Sequence, residues 1–243
     1  MKAMILAAGE GTRLQPLTLS TPKVLLPVAG VPLIRRILTW LRIHGIHEVA
    51  INLHYRGETI SDALGDGSEM GMSIMYSPEE TMLGTAGGVK RAGDFFDGPF
   101  IVHYGDVLTD FSLTEMIKFH HAKKAAATLS ILKVSEPRSA GVVEMNDEGK
   151  ICSFTEKPAE RAVSSNLESG GTYILEKKVL DYIPADRPSD FGHDIFPAIL
   201  AGNLPVYGYI LKDDDYLVDI GTIEKYRQAN DDMANGRIRL EHE

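Results

Sequence analysis

The sequence predicts an α/β protein in which a mostly parallel sheet is flanked by helices and a smaller, β-rich part faces the substrate. Three observations predict it. Through the first half, short apolar runs alternate with helical patterns, the signature of repeated βα units. One of those runs, "PFIVHY", is apolar without alternation, as a strand covered on both faces of a parallel sheet must be. The second half turns instead to strands and a hairpin. With 243 residues, 44% of them hydrophobic, the chain can bury one large core or two modest lobes. It reads as a single domain over 1–243, with a nucleotide-type half at about 1–134 and a substrate-facing half at about 135–243.

"AMILAA" is strand-like, and in "VPLIRRILTWLRIHG" Leu33, Ile34, Ile37, Leu38 and Leu41 recur at helical spacing behind Pro32, with Gly45 suited to the C-terminal cap. "EVAINL" is the next strand, "TISDAL" a short helix and "SIMYS" another strand. A helix is expected over "VKRAGDFF", after the glycine-rich "LGTAGG". "SLTEMIKFHHAKKA" opens with a Ser112-x-x-Glu115 capping box. "ATLSILKV" is a strand, and "GVVEMNDEGKICSF" is a hairpin turning at Asn146-Asp147-Glu148-Gly149. "GGTYIL" follows, then helices around Lys177 to Ile183 and Ile195 to Ala201, the strands "PVYGYILK" and "YLVDIG", and a last helix "TIEKYRQANDDMANG".

Composition excludes several classes of partner. A formal charge of -9 and a pI near 5.4 disfavour nucleic acid or an anionic membrane, while leaving small anions open at a local basic patch. The single cysteine, Cys152, forbids an internal disulfide and a Cys-based zinc cluster, which fits a reducing compartment. No charged leader with an apolar core precedes Met4 and no apolar run reaches bilayer length, so the expectation is a cytoplasmic protein without a membrane partner, compatible with a homo-oligomer.

The opening loop carries the first chemistry. Gly9-x-Gly11 follows a strand as in a dinucleotide fingerprint, but Leu14 stands where the third glycine belongs and Pro16 interrupts the helix that should follow. A Walker motif fails too, for want of Gly-Lys-[Ser/Thr]. What remains is a loop whose backbone N–H groups can approach a polyphosphate, with Thr12, Arg13 and Lys23 as side-chain donors. Taken alone, GxG also fits a plain turn with two solvated cations.

The whole string "LAAGEGTRLQPLTLSTPKVLLPVAGVPLI" resembles the signature of the sugar-1-phosphate nucleotidyltransferases, and the resemblance continues through "LGTAGG", "YGDVLTD", "AGVVEMNDEGKICSFTEKP", "SNLESGGTYIL" and "LVDIGT". It covers nearly the whole chain and implies a Rossmann-like nucleotidyltransferase fold. The implied activity joins a nucleoside monophosphate from an NTP to a sugar 1-phosphate, with release of pyrophosphate and use of Mg²⁺ or Mn²⁺. The chain stops soon after its last helix, so the left-handed β-helix domain that some relatives carry is not expected. The expected nucleotide-binding set is Leu6, Ala7, Ala8, Gly9, Gly11, Thr12, Arg13, Glu80, Gly84 and Thr85.

The chemistry accounts for the residues independently. A phosphate nucleophile is already ionised, so no general base is required, and positioning with charge neutralisation must supply the rate. Arg13 suits the leaving pyrophosphate because its planar fork holds two oxygens. The resemblance places Lys23 near the α-phosphate and the sugar phosphate. Asp106 follows "PFIVHY" and Gly105, at the carboxyl end of an inner strand where open α/β sheets bind ligands, and a hard oxygen ligand there suits Mg²⁺. Asp219 in "LVDIGT" is its expected partner as a metal ligand, Thr222 being closer to the helix start and the better cap. By resemblance, Gly141, Glu156, Lys157 and Asn166 bind the sugar phosphate.

Other polar groups read as ordinary surface or packing. His44, His47, His120 and His121 are expected at the surface, Asp213 to Asp215 in a solvated turn, and Cys152 in strand packing beside Phe154. "SPEETMLGTAGG" should pass along the base, and it resembles the "LGTAG" of mannose-1-phosphate guanylyltransferases more than the "LAQA" of the thymidylyl and some uridylyl enzymes, whose glutamine is missing here. Glu79 or Glu80 could accept guanine's N1–H and N2–H₂, which favours GTP with mannose 1-phosphate or a related sugar. The alternatives are a uridylyl-, cytidylyl- or thymidylyltransferase acting on another phosphorylated acceptor, a non-catalytic regulatory paralogue, and a pyridine-nucleotide oxidoreductase. The full set Arg13, Lys23, Asp106 and Asp219 argues for an enzyme, and the missing third glycine argues against the oxidoreductase.

Overall fold

A computed structural model describes residues 1–135, 141–158, 165–185 and 187–240. In chain order the elements are β1 (Lys2–Leu6), β2 (Pro27–Val28), β3 (Val31–Pro32), α1 (Leu33–Ile43), β4 (Glu48–Leu53), α2 (Gly57–Leu64), β5 (Ser73–Pro78), α3 (Gly84–Arg91), β6 (Phe100–Tyr104), β7 (Val107–Thr109) and α4 (Leu113–Lys123). Then come β8 (Ala127–Lys133), β9 (Gly141–Met145), β10 (Ile151–Glu156), β11 (Leu167–Leu175), α5 (Phe196–Ala201), β12 (Val206–Ile210), β13 (Leu217–Asp219) and α6 (Ile223–Ala234). The chain forms two compact units: Met1–Met82 with His103–Ser112 and Asp214–Glu243, and Leu83–Val102 with Leu113–Asp213.

In the first unit β1, β4 and β5 are parallel, with Leu6 paired to Asn52 and Leu53 to Pro78. β1 and β4 are buried almost throughout, as strands shielded on both faces are. The expected apolar stripe of α1 is buried together with Trp40, whose Nε1 donates to the Phe111 carbonyl at 2.9 Å. The helix stops at Gly45, where Gly45 N reaches Arg42 O and Ile46 N reaches Leu41 O, the two bonds of a Schellman cap. β7 pairs antiparallel with β13, setting Val107 opposite Asp219. Thr222 caps α6 as expected, its Oγ1 accepting from Lys225 N.

In the second unit β8 lies between β11, antiparallel, and β12, parallel. β9 and β10 form the expected hairpin, and Asn146 closes its turn by accepting from Glu148 N and Lys150 N. The fold is thus α/β, as the sequence predicts, with a parallel sheet and its helices in one unit and a mixed, β-rich assembly in the other.

Several local expectations are corrected. The third helix covers "GTAGGVKR" and ends at Arg91, rather than beginning after the glycines. Its first turn is held by the Ser189 carbonyl, which accepts from Ala86 N and Gly87 N, so a remote backbone group satisfies donors that glycine-rich helices expose. Cys152 is exposed, because a bulge between Ile151 and Ser153 puts two residues, Cys152 and Ser153, between buried Ile151 and buried Phe154 and breaks the alternation. His120 is buried, not at the surface: its Nδ1 lies 2.8 Å from Thr128 Oγ1, and burial pushes its pKa below the usual histidine value.

Candidate active site

The first unit assembles the opening loop and both candidate metal ligands. Leu6 ends β1, and Ala7 N donates to Asn52 Oδ1 at 2.8 Å, while Asn52 Nδ2 donates to Glu79 Oε1 at 2.7 Å. All three are buried, so the start of the loop is tied through a side-chain bridge to the ends of two neighbouring strands. Ala8 is buried and Gly9 is exposed. Gly11 has φ +66°, and a Cβ on it would lie 3.0 Å from Thr18 Cγ2 and 3.1 Å from Lys23 Cβ, so both conformation and space call for glycine. Thr18 Oγ1 donates to the Gly11 carbonyl, and Tyr55 OH donates to Thr18 O. Thr12 and Arg13 therefore sit exposed on a short 3₁₀ turn, Thr12–Leu14, whose base is fixed.

Lys23 is 9% exposed, and its Nζ donates to Asp106 Oδ2 and lies 3.7 Å from Asp219 Oδ1. Asp106 is placed by Gly105, whose N–H donates to Leu6 O, and by its own carbonyl, which accepts from Ile220 N at 2.9 Å. Asp219 is oriented by Gly221 N, which donates to Oδ1 at 2.7 Å, and Lys225 Nζ stands 3.8 Å from Oδ2. A Cβ on Gly221 would meet Asp219 Oδ1 at 2.7 Å and Arg13 Nη2 at 2.9 Å, so the Arg13 guanidinium and this carboxylate flank the same glycine. Arg13, Lys23, Asp106 and Asp219, scattered over some two hundred positions, are thus neighbours. Two carboxylates whose oxygens converge on one cation are the hard donor set that Mg²⁺ or Mn²⁺ takes from protein, with phosphate and water completing the shell, and the residues fit such an ion.

Glu79 and Glu80 part company. Glu79 is buried, with Asn52 on its carboxylate and His54 Nδ1 at 3.0 Å from its carbonyl, whereas Glu80 is exposed. Among the described residues, Glu80 alone of the two has no part in the loop's internal scaffolding.

Within the second unit, Gly84 opens α3, and Thr85 Oγ1 donates to Asp190 Oδ2 at 2.7 Å while accepting from Phe191 N. Asp190 also caps the π-helical turn Phe191–Ile195, its Oδ1 accepting from Gly192 N and His193 N. Glu156 ends β10 opposite Gly141, and its carboxylate lies against Gly192, where any Cβ would strike it. Burial holds the Glu156 carboxyl above the usual glutamate range, outweighing Lys157, whose Nζ is 3.7 Å from Oε1. Lys157 itself is exposed and left-handed at φ +45°. Asn166 is exposed beside β11, and its carbonyl accepts from Val134 N. Sequence reading missed Asn52, Thr18, Lys225 and Asp190. The sole hints were a polar residue in the apolar "EVAINL" and an aspartate ahead of a helical segment.

Gly141 has a packing reason of its own, since a Cβ there would enter the Phe154 ring, which is 8% exposed and 4.9 Å from the Phe196 ring. The ring has no room to retreat. Gly141→Ala is expected to destabilise the protein by about 1–3 kcal/mol, as overpacking does, read as a lower midpoint in urea. An unchanged midpoint would show that the hairpin yields freely.

Comparison with known proteins places the chain. The family model described as nucleotidyl transferase matches residues 2–236. The chain is 40% identical to a UTP–glucose-1-phosphate uridylyltransferase of Synechocystis sp., over 94% of this chain and 62% of that protein. It is 36% identical to a mannose-1-phosphate guanylyltransferase of Mycobacterium tuberculosis, over 96% of this chain and 65% of that protein. It therefore spans somewhat under two thirds of the length of these relatives. Among solved structures, HddC from Yersinia pseudotuberculosis complexed with GMP-PN superposes with a TM-score of 0.81 at 25% identity, over 96% of this chain and 99% of that one.

Proposed function

Because this chain belongs to the nucleotidyl transferase family, we propose that it transfers a nucleoside monophosphate from an NTP to a sugar 1-phosphate. A phosphate oxygen of the sugar 1-phosphate forms a bond to the α-phosphorus, the bond from that phosphorus to the bridging oxygen breaks, and pyrophosphate leaves. The observation that carries the reading is the convergence of Asp106 and Asp219 on Lys23 Nζ, beside a glycine-containing loop that projects Arg13.

Each residue then has a task that needs no proton transfer. The loop that follows Ala7, from Ala8 to Thr12, offers backbone N–H groups to the triphosphate, with Leu6 and Ala7 as its anchored start. Arg13 holds oxygens of the departing pyrophosphate, and Lys23 screens the α-phosphate from the incoming sugar phosphate. Asp106 and Asp219 would hold a divalent cation, which when bound would neutralise phosphate charge and polarise the α-phosphoryl group. Gly84, Thr85 and Glu80 serve the nucleotide. Glu156 accepts from sugar hydroxyls, Lys157 meets the sugar phosphate, Asn166 adds a polar contact, and Gly141, whose Cβ space Phe154 occupies, contributes through its backbone alone.

The base is proposed as guanine. Support comes from the guanylyltransferase name of one relative and from GMP-PN on HddC, while the uridylyltransferase name of the more identical relative supports the second reading. Among the described residues no helix is long and apolar enough to cross a membrane. With a single cysteine and an acidic balance, the proposed home is the cytoplasm, with no nucleic-acid partner and self-association left to measurement.

The test crosses GTP, UTP, CTP and dTTP with a panel of sugar 1-phosphates and measures pyrophosphate release. GTP with mannose 1-phosphate or a related sugar is expected to give the highest kcat/KM, Glu80→Gln to narrow the gap, and excess EDTA to stop release. A preference for UTP or dTTP would replace the base assignment. Absence of release from every pair, with Mg²⁺ supplied, would overturn the activity.

A further inference from the structure

Lys23 does more in this arrangement than await a phosphate. Its ammonium stands where the two aspartates converge, donating to Asp106 and 3.7 Å from Asp219 Oδ1, and only about a tenth of its side chain is exposed. Its stem is confined as well, since the space a Cβ would take on Gly11 is bounded by Lys23 Cβ and Cδ. We propose that Lys23 is the resident counter-ion of the Asp106–Asp219 pair and sets its affinity for divalent cations, so that metal binds the nucleotide-free protein weakly. The proposal rests on the reading of that pair as metal ligands.

The argument is one of competition for oxygens. A divalent cation drawn to the same two carboxylates must either displace Lys23 or lie close to a like charge. Lys225, 3.8 Å from Asp219 Oδ2 but far more exposed, adds a weaker share of the same repulsion. A triphosphate changes the balance in two ways: it brings further anionic oxygens for the metal, and it gives the ammonium new acceptors. Metal affinity and nucleotide affinity are then coupled through one side chain, each raising the other.

The sign of the test is unusual, because removing a residue at the site should strengthen binding. Mn²⁺ is titrated into the nucleotide-free protein and free Mn²⁺ is read by electron paramagnetic resonance. Lys23→Met, unbranched and close in length, is expected to bind Mn²⁺ at least tenfold more tightly than the unaltered chain, and to gain more thermal stability from added Mn²⁺. Lys23→Arg keeps the charge and is expected to bind no more tightly than the unaltered chain, which separates loss of charge from loosening of the fold. Adding Asp106→Asn to Lys23→Met should remove the gain, locating the ion. Equal or weaker Mn²⁺ binding by Lys23→Met, or a gain shared by Lys23→Arg, overturns the proposal. Neither nucleotide nor turnover enters these measurements, so their outcome is distinct from that of the pyrophosphate-release panel.

Discussion

Asp106→Asn is expected to lower turnover by about two to three orders of magnitude, the loss typical when one preorganised electrostatic group is removed from a charge-developing centre. The amide keeps an oxygen for Lys23 but gives up the formal charge that would bind a divalent ion and balance the ammonium. The fold should survive, because Asp106 lies in the turn between β6 and β7 with about a quarter of its side chain exposed, and its backbone bond to Ile220 N does not involve the carboxylate. The check is steady-state kinetics at saturating Mg²⁺ with circular dichroism alongside. Near-normal turnover in a folded variant would show that Asp106 is not a ligand.

Arg13→Ala is expected to reduce kcat by about 10²–10³-fold while changing the dissociation constant for GTP by less than tenfold, because only an interaction stronger in the transition state accelerates the step. Among the described residues Arg13 has no hydrogen-bond or ion-pair partner in the chain, so its fork is not already spent on structure, and truncating it leaves no buried group orphaned. Direct GTP binding and kinetics in both substrates decide the matter. An unchanged kcat with a raised KM for GTP would make Arg13 a uniform binding group and remove its transition-state role.

The elements that were legible in the sequence share a physical cause: their signals are local. The stripe of α1, the turn at Asn146 and the cap at Thr222 are written within a few residues of where they act. β7 is three residues long and owes its existence to β13, more than a hundred positions away, so no window around it carries the information. The start of α3 depends likewise on Ser189, and buried His120 on Thr128. At the candidate site, Arg13, Lys23, Asp106 and Asp219 stood out because a long motif and a strand end marked them. Asn52 did not, because its importance lies in an amide reaching back to Ala7 and forward to Glu79, and a single polar residue on a strand announces neither.

The pairing of β7 with β13 bears on how the molecule comes into being. Asp106 and Asp219 are brought together by a three-residue ladder whose register puts Asp219 opposite Val107, and a slip by one residue would turn that carboxylate to the other face. Synthesis runs from the N-terminus, so Lys23 and Asp106 leave the ribosome long before their second carboxylate exists. A nascent chain can already carry Lys23 and Asp106 and still lack one of the two carboxylates that converge on the ammonium. Assembly of this charge cluster therefore waits on a segment more than a hundred positions downstream of Asp106, however early its first two members are made.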